Sequence, residues 1–249
     1  LHETGRLTRQ EAVSMIPVMA LNPKAGEAVL DMCASPGSKT SQIAEFMNGV
    51  GVLVANERSR KRCNLLVANI QRHRSRVTVV SNHDGRHIPS LSGEGGYDAI
   101  LVDAPCTGSG TTRKNPDVWR QWKPSGGLGL HSMQVGLLNR AVDLLKVGGR
   151  VVYSTCSLDP VENEAVISQI LLNREDVDII DCSDNLEGVI IQEGLQSWVP
   201  TDDNMQPLDE DPWAHPPSNE ISDKLAKCIR VRGHMMDAGG FFLAAMQKK

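Results

Sequence analysis

The 249-residue chain lacks any apolar run long enough to cross a bilayer, and it lacks the charged start and apolar core of a secretory signal. A membrane-spanning or exported protein is not expected, and the chain reads as soluble and intracellular. It also lacks a cationic surplus: 26 Lys and Arg stand against 30 Asp and Glu, for a net charge of -4 and a pI near 6.0. A self-sufficient nucleic-acid-binding module carries a strong positive excess. Contact with nucleic acid would therefore have to use local patches or sequence outside this chain. The six cysteines, Cys33, Cys63, Cys106, Cys156, Cys182 and Cys228, include no closely spaced pair. That excludes a disulfide scaffold and gives no zinc spacing, so reduced thiols and no metal are expected. The sequence begins at Leu1 and runs straight into patterned residues, which predicts a piece of a longer protein with an N-terminal region missing.

What is present is an alternation of short apolar runs with amphipathic stretches. Ala28–Cys33, Gly51–Asn56, Val77–Val80, Tyr97–Val102 and Gly149–Cys156 read as strands, separated by helical patterns that predict a parallel sheet. With 40% hydrophobic residues, one substantial core and one domain over 1–249 are expected, with a Pro-rich, loop-rich insertion at about 188–222. Cys228–Arg232 and Gly240–Met246 read as a closing antiparallel hairpin. Thr8 with Glu11 predicts a capping box opening the first helix, and Cys63, Leu66, Val67 and Ile70 form the buried stripe of a later one.

Three features point to a ligand at the carboxyl ends of the strands. The turn Ala34-Ser35-Pro36-Gly37-Ser38-Lys39-Thr40 joins the first strand to a helix, whose first N–H groups are unpaired and suit polar or anionic groups. It lacks the earlier glycine of a P-loop. Glu57 ends the next strand, twenty residues beyond Gly37, where a carboxylate can accept from both hydroxyls of a ribose. A solvated helix-start carboxylate is the plainer alternative. Asp84, after the third strand, could reach a cofactor's base or be an ordinary turn residue.

The chemistry is concentrated in two loops. Asp103-Ala104-Pro105-Cys106-Thr107-Gly108-Ser109-Gly110 follows one strand, and Ser154-Thr155-Cys156-Ser157 ends another. If the strands are neighbours, both thiols rise from one rim. Asp159, Pro160 and Glu162 after Cys156 read as N-cap, first helical residue and reciprocal capping carboxylate. A helix start there would lower the Cys156 pKa. Arg113, Lys114, Arg120, Trp119 and Trp122 interleave cations with aromatics that can stack on bases, although tryptophans near a helix start more often pack. The basic face around Arg58, Arg60, Lys61 and Arg62 reads first as solvated surface.

These motifs, with Gly239-Gly240-Phe241-Phe242 and in this order, resemble the Sun-domain (NSUN) RNA 5-methylcytosine methyltransferases. Arg9 to Pro17 and the Pro-rich insertion are most similar to the eukaryotic tRNA-modifying branch, and the resemblance covers nearly the whole chain. It implies an α/β fold, the Rossmann-like class I methyltransferase sheet with helices on both faces, and S-adenosyl-L-methionine as cofactor. RNA, most of all tRNA, is the implied partner; the nucleus or nucleolus is the location implied by the eukaryotic branch, and the cytoplasm otherwise. Cys33, Ala34, Ser35, Pro36, Gly37, Ser38, Lys39, Glu57, Asp84 and Asp103 are the implied cofactor residues. Cys156 is the implied nucleophile, Cys106 the thiol that assists release, and Asp103 the group at the ring nitrogen. Ser35, Ser38 and Glu57 depart from residues common in the family, and Gly126-Gly127 loosens the segment before the Leu130 helix. A DNA cytosine-C5 methyltransferase would show a Glu-Asn-Val motif, which is absent. An exocyclic-nitrogen methyltransferase would show Asn or Asp before Pro-Pro and an aromatic. A non-catalytic RNA-assembly scaffold would not need both cysteines.

Overall fold

Strand β4 (Tyr97–Asp103) sits at the centre of the sheet, and its alternation explains the architecture. Ile100 and Val102 point into one apolar cluster, Ala99 and Leu101 into another, and all four are fully buried. A strand covered on both faces reads as a continuous apolar run, which is what this segment is. The computed structural model describes residues 7–91, 95–208 and 219–249.

Strands β1 (Ala28–Asp31), β2 (Val52–Asn56), β3 (Thr78–Ser81), β4 and β5 (Leu145–Thr155) are parallel, in the order β3-β2-β1-β4-β5. The helices are α1 (Ala12–Leu21), α2 (Ser38–Phe46), α3 (Arg60–His73), α4 (Asp117–Gln121), α5 (Pro124–Leu144), α6 (Glu164–Asn173), α7 (Asn219–Leu225) and α8 (Gly233–Met236). Helices α1 and α2 cover one face through Val13, Ile16, Leu21 and Ile43. Helices α5 and α6 cover the other through Leu137, Leu138, Ala141, Val166 and Ile170. In α3, Cys63, Leu66 and Ile70 are buried as the stripe predicts. None of the described helices is long and apolar enough to cross a membrane.

The closing strands go beyond a hairpin. Strand β9 (Phe241–Lys248) runs antiparallel to β5, and its other edge is shared by β6 (Val177–Ile180) and β8 (Ile229–Val231). Strand β7 (Gln192–Glu193) adds beyond β8, and Thr201 bridges Pro207. Positions 209–218 of the Pro-rich insertion lie outside the described residues.

Two local expectations are corrected. Helix α1 begins at Ala12, with Glu11 at its N-cap and no capping side-chain bond. Thr8 instead contacts the His73 ring, 3.0 Å from Nε2, and the Glu11 carboxylate pairs with Lys114, so the proposed box loses both members. Gly126 and Gly127 are not a loose segment: they lie in the first turn of α5, behind Pro124. A Cβ on Gly127 would collide with Asp159 Oδ2, so the missing side chain is what lets α5 approach that loop.

Candidate active site

Because β4 and β5 are parallel neighbours in register, with Asp103 opposite Ser154, the loops that leave them rise side by side. Cys106 Sγ and Cys156 Sγ meet at 3.4 Å. The loops are tied by Gly110 N donating to Cys156 O at 2.8 Å and Gly240 N donating to Gly110 O at 2.8 Å, which brings the start of β9 to the site. Asp103 stands at the same rim. Its Oδ1 accepts from Ser154 Oγ at 2.8 Å and its Oδ2 from Lys39 Nζ at 2.7 Å. Lys39 also donates to Ser14 Oγ at 3.0 Å and lies 5.5 Å from the centroid of the Phe241 ring. A cavity of about 110 Å³ is lined by Lys39, Asp103, Cys156, Gly240 and Phe241.

The two thiols are electrostatically unlike. The hydrogen bond shared with Cys106 lowers the Cys156 pKa; burial and Asp103 oppose it, and the charges of Lys39 and Lys114 reinforce it. The same bond, followed by burial, raises Cys106 well above an ordinary thiol. These directions make Cys156 the more acidic thiol of the pair. The cause differs from the sequence expectation: Asp159 caps only the short turn Pro160–Glu162, and α6 starts at Glu164. Alkylation tests this arrangement. Thiolate fraction rises with pH, so iodoacetamide labelling of Cys156 should reach half its maximal rate at a pH below that of a free cysteine. In Cys106→Ala that midpoint should move upward, and an unmoved midpoint would show that Cys106 does not stabilise the thiolate.

A second cavity, of about 270 Å³, adjoins the first and is lined by Asp31, Cys33, Ala34, Ser35, Pro36, Ser38, Lys39 and Asp103. Gly37 makes the turn above it with φ +107°, and a Cβ there would press on Leu66 Cδ1 at 3.0 Å. Arg62 donates to Ser35 O at 2.7 Å and so steadies the turn from α3. Asp31 is a site residue that the motifs did not single out. It is 1% exposed, its Oδ2 accepts from Thr40 Oγ1 at 2.7 Å, and its Oδ1 has no protein partner. Burial is the main cause that lifts its pKa to about 7. The sequence signal was there: an acidic residue closing a wholly apolar strand. Burial also pushes Cys33 upward, so it stays a neutral thiol.

Glu57 and Asp84 lie at the expected strand ends but do not line this cavity. Glu57 accepts from Ser59 N at 2.7 Å, with Arg62 3.6 Å away. Asp84 accepts from Arg86 N, Nε and a terminal nitrogen, bonds that hold its carboxyl well below the usual range. Its bonding is that of the turn residue. Glu162 is a correction as well: its carboxylate does not reach back to Asp159 N, which Ser157 Oγ occupies at 3.1 Å. It bonds Thr107 and Ser157 instead. Trp119 is 77% exposed and Trp122 37%, so neither is a core residue. Trp119 borders both an apolar pocket containing Leu128, Leu158 and Met205 and a groove that reaches Gly110 and Gly240.

A β3-β2-β1-β4-β5 parallel order with an antiparallel strand beside β5, and a ligand cradle after β1, define a Rossmann-like domain of the methyltransferase type. Residues 18–247 match the family model described as 16S rRNA methyltransferase RsmB/F. The chain belongs to that family. It is 41% identical over 266 aligned residues to the multisite-specific tRNA:(cytosine-C(5))-methyltransferase of Saccharomyces cerevisiae, covering 98% of this chain and 39% of that protein. Among solved structures, a methyltransferase homolog from Pyrococcus horikoshii superposes with TM-score 0.75 at 34% identity, covering 99% of this chain and 70% of that one. NSun6 from the same organism, determined with SFG, superposes with TM-score 0.76 at 26% identity, covering 99% and 54%. The chain spans 37 to 43% of the length of the first curated relatives it matches.

Proposed function

We propose that this chain is the catalytic domain of an S-adenosylmethionine-dependent RNA (cytosine-5)-methyltransferase acting on tRNA. The observation that carries the reading is the Cys106–Cys156 pair, 3.4 Å apart, with the Lys39–Asp103 ion pair on the same rim. Carbon 5 of cytosine is a poor nucleophile. A thiolate bonding to carbon 6 pushes the ring's double-bond electrons towards carbon 5 and divides one hard step into easier ones. Cys156 is the thiolate suited to this. As it adds, negative charge moves through the ring, and ring N3 takes the proton that Lys39 Nζ shares with Asp103 Oδ2, which leaves Lys39 neutral until the proton returns on elimination.

The residues around the larger cavity fit the cofactor. Asp31 Oδ1 is buried and unpartnered where a donor is needed, and the turn before α2 presents backbone N–H groups. Asp31, the Cys33–Lys39 turn and Asp103 would hold it, with Glu57 just past the end of β2 and Asp84, in the turn after β3, reaching it only by giving up bonds to Arg86. S-adenosylmethionine bound there supplies an electrophilic methyl group for carbon 5. The neighbour NSun6 was determined with SFG bound to it.

Release needs removal of the carbon 5 proton and expulsion of the Cys156 sulfur. Once Cys156 is bonded to carbon, its negative charge is gone. That removes the largest of the causes that raise Cys106, although burial and the Glu162 and Asp103 charges remain, and Cys106 can act as or position the base. A base inside a stacked helix is out of reach, so the target must be unpaired or flipped out. Exposed Trp119 offers its face to a neighbouring unstacked base. The resemblance to the eukaryotic tRNA-modifying branch supports the nucleus or nucleolus as the setting of this work, with the cytoplasm as the alternative outside that branch.

The test is methyl transfer by the full-length protein from labelled cofactor to tRNA, with small-subunit rRNA in parallel and bisulfite mapping of the product. The expected result is 5-methylcytosine in tRNA. Transfer to rRNA alone would overturn the substrate, and cofactor binding without transfer to any RNA would overturn the activity.

A further inference from the structure

Glu162 is 0% exposed, and four neutral groups donate to its carboxylate. Oε1 accepts from Thr107 Oγ1 at 2.5 Å and from Ser157 Oγ at 2.6 Å. Thr107 follows Cys106 and Ser157 follows Cys156, so one oxygen atom takes a hydroxyl from the residue after each thiol. Oε2 accepts from Thr107 N at 2.8 Å and from Gln134 Nε2 at 3.1 Å, and Gln134 also donates to Pro105 O at 2.9 Å. Tyr153 OH donates to Glu162 O at 2.7 Å, which pins this residue's backbone to β5. A buried carboxylate is costly unless its bonds are made, and here every bond runs to one of the two thiol loops or to the helix that backs them.

The geometry points to Glu162 as a positioning residue: its carboxylate fastens the Cys106 loop to the Cys156 loop and thereby holds the two thiols in contact. It does not line the cavity that contains Cys156 and Asp103, so it acts through Thr107 and Ser157 rather than on the substrate. Its catalytic consequence rests on the reading proposed above; its geometric consequence does not. Glutamine can keep the fastening. Its amide oxygen can accept from Thr107 N and Gln134, while its NH2 group donates to the two hydroxyls, which accept as readily as they donate. Alanine leaves Thr107 N–H without its acceptor and removes the carboxylate link; what then joins the loops is Gly110 N on Cys156 O and the contacts of Ser109 Oγ, farther from the thiol of Cys106.

The measurement is capture of the two thiols by phenylarsine oxide. It forms two As–S bonds, and the two thiol protons leave with the reagent's oxygen as water. Mass spectrometry then identifies a bridged Cys106–Cys156 peptide pair. Wild type and Glu162→Gln should bridge alike. Glu162→Ala should bridge at least about tenfold more slowly, and Cys106→Ala not at all. In turnover, Glu162→Ala should lose about 100-fold, the scale of an ångström-sized misplacement, while RNA adduct still accumulates as it does without Cys106. Glu162→Gln should stay within about threefold.

Wild-type bridging in Glu162→Ala would overturn the inference. So would a Glu162→Gln protein that bridges normally but is inactive, because the charge itself would then be taking part in the chemistry. If Glu162→Ala does not melt cooperatively, Thr107→Val with Ser157→Ala removes both hydroxyl arms from Oε1 and leaves Oε2 paired with Thr107 N and Gln134. That protein should also bridge more slowly, and an unchanged rate would overturn the inference equally. Slower bridging in these variants, with no methylation of any RNA by wild type, would sink the proposed function and leave the positioning role standing.

Discussion

With S-adenosylmethionine and tRNA, the Cys106→Ala protein is expected to accumulate a protein–RNA adduct that survives denaturation, and Cys156→Ala to form none. The expectation follows from the asymmetry of the pair. Cys156 is held towards the thiolate by its contact with Cys106, and Cys106 is held as a thiol. Removing Cys106 leaves Lys39 and Lys114 to favour the Cys156 anion, so addition to carbon 6 slows but continues. Elimination has lost its neighbouring thiol, and the covalent species persists. Removing Cys156 takes away the thiol that its surroundings favour as an anion and should cost at least roughly four orders of magnitude in turnover. The double substitution should resemble Cys156→Ala. Adduct that persists without Cys156 would reverse the roles, and its absence from every form would remove the covalent route.

The main lines of this site were legible because buried parallel strands read as apolar runs and the thiols follow two of them directly. Adjacency of Tyr97–Asp103 and Leu145–Thr155 was a conjecture that the register then satisfied. What stayed hidden depended on partners distant in sequence. Glu162 has the spacing of a capping carboxylate, and nothing local shows that Thr107, 55 residues earlier, takes it away. Glu11 is similar: its pattern with Thr8 suits a capping box, but Lys114 claims the carboxylate. Asp31 reads as the polar end of a strand, and its isolation appears only once α2 and the turn close over it. The strand Phe241–Lys248 was legible as a strand, but its place between β5 and the pair β6 and β8 is a property of pairing alone.

Arg230 was legible only as one residue of a closing strand, and it carries the second large expected effect. Its guanidinium donates to both oxygens of Glu164, at 2.6 and 2.5 Å, and to Leu158 O at 3.0 Å. The side chains are 5% and 0% exposed, and Arg230 also lies 5.6 Å from the centroid of the Phe242 ring. This bidentate pair bolts β8 to the first turn of α6 and to the loop just beyond Cys156. Arg230→Met should destabilise the fold by about 3–5 kcal/mol, because Glu164 would be left as a buried, unpaired charge. For a chain of this size that corresponds to a fall in Tm of roughly 6–20 °C. The penalty lies mainly in the stranded carboxylate, since a buried ion pair gains little net energy over an apolar replacement. Glu164→Gln added to Arg230→Met should therefore restore most of the loss, with the amide oxygen still accepting from Leu195 N, which now donates to Glu164 Oε1 at 2.9 Å. Thermal melts of the two single variants and the double variant form a closed cycle. If Arg230→Met melts within about 2 °C of wild type, or the double falls as far as the two singles together, the pair is not the bolt described here.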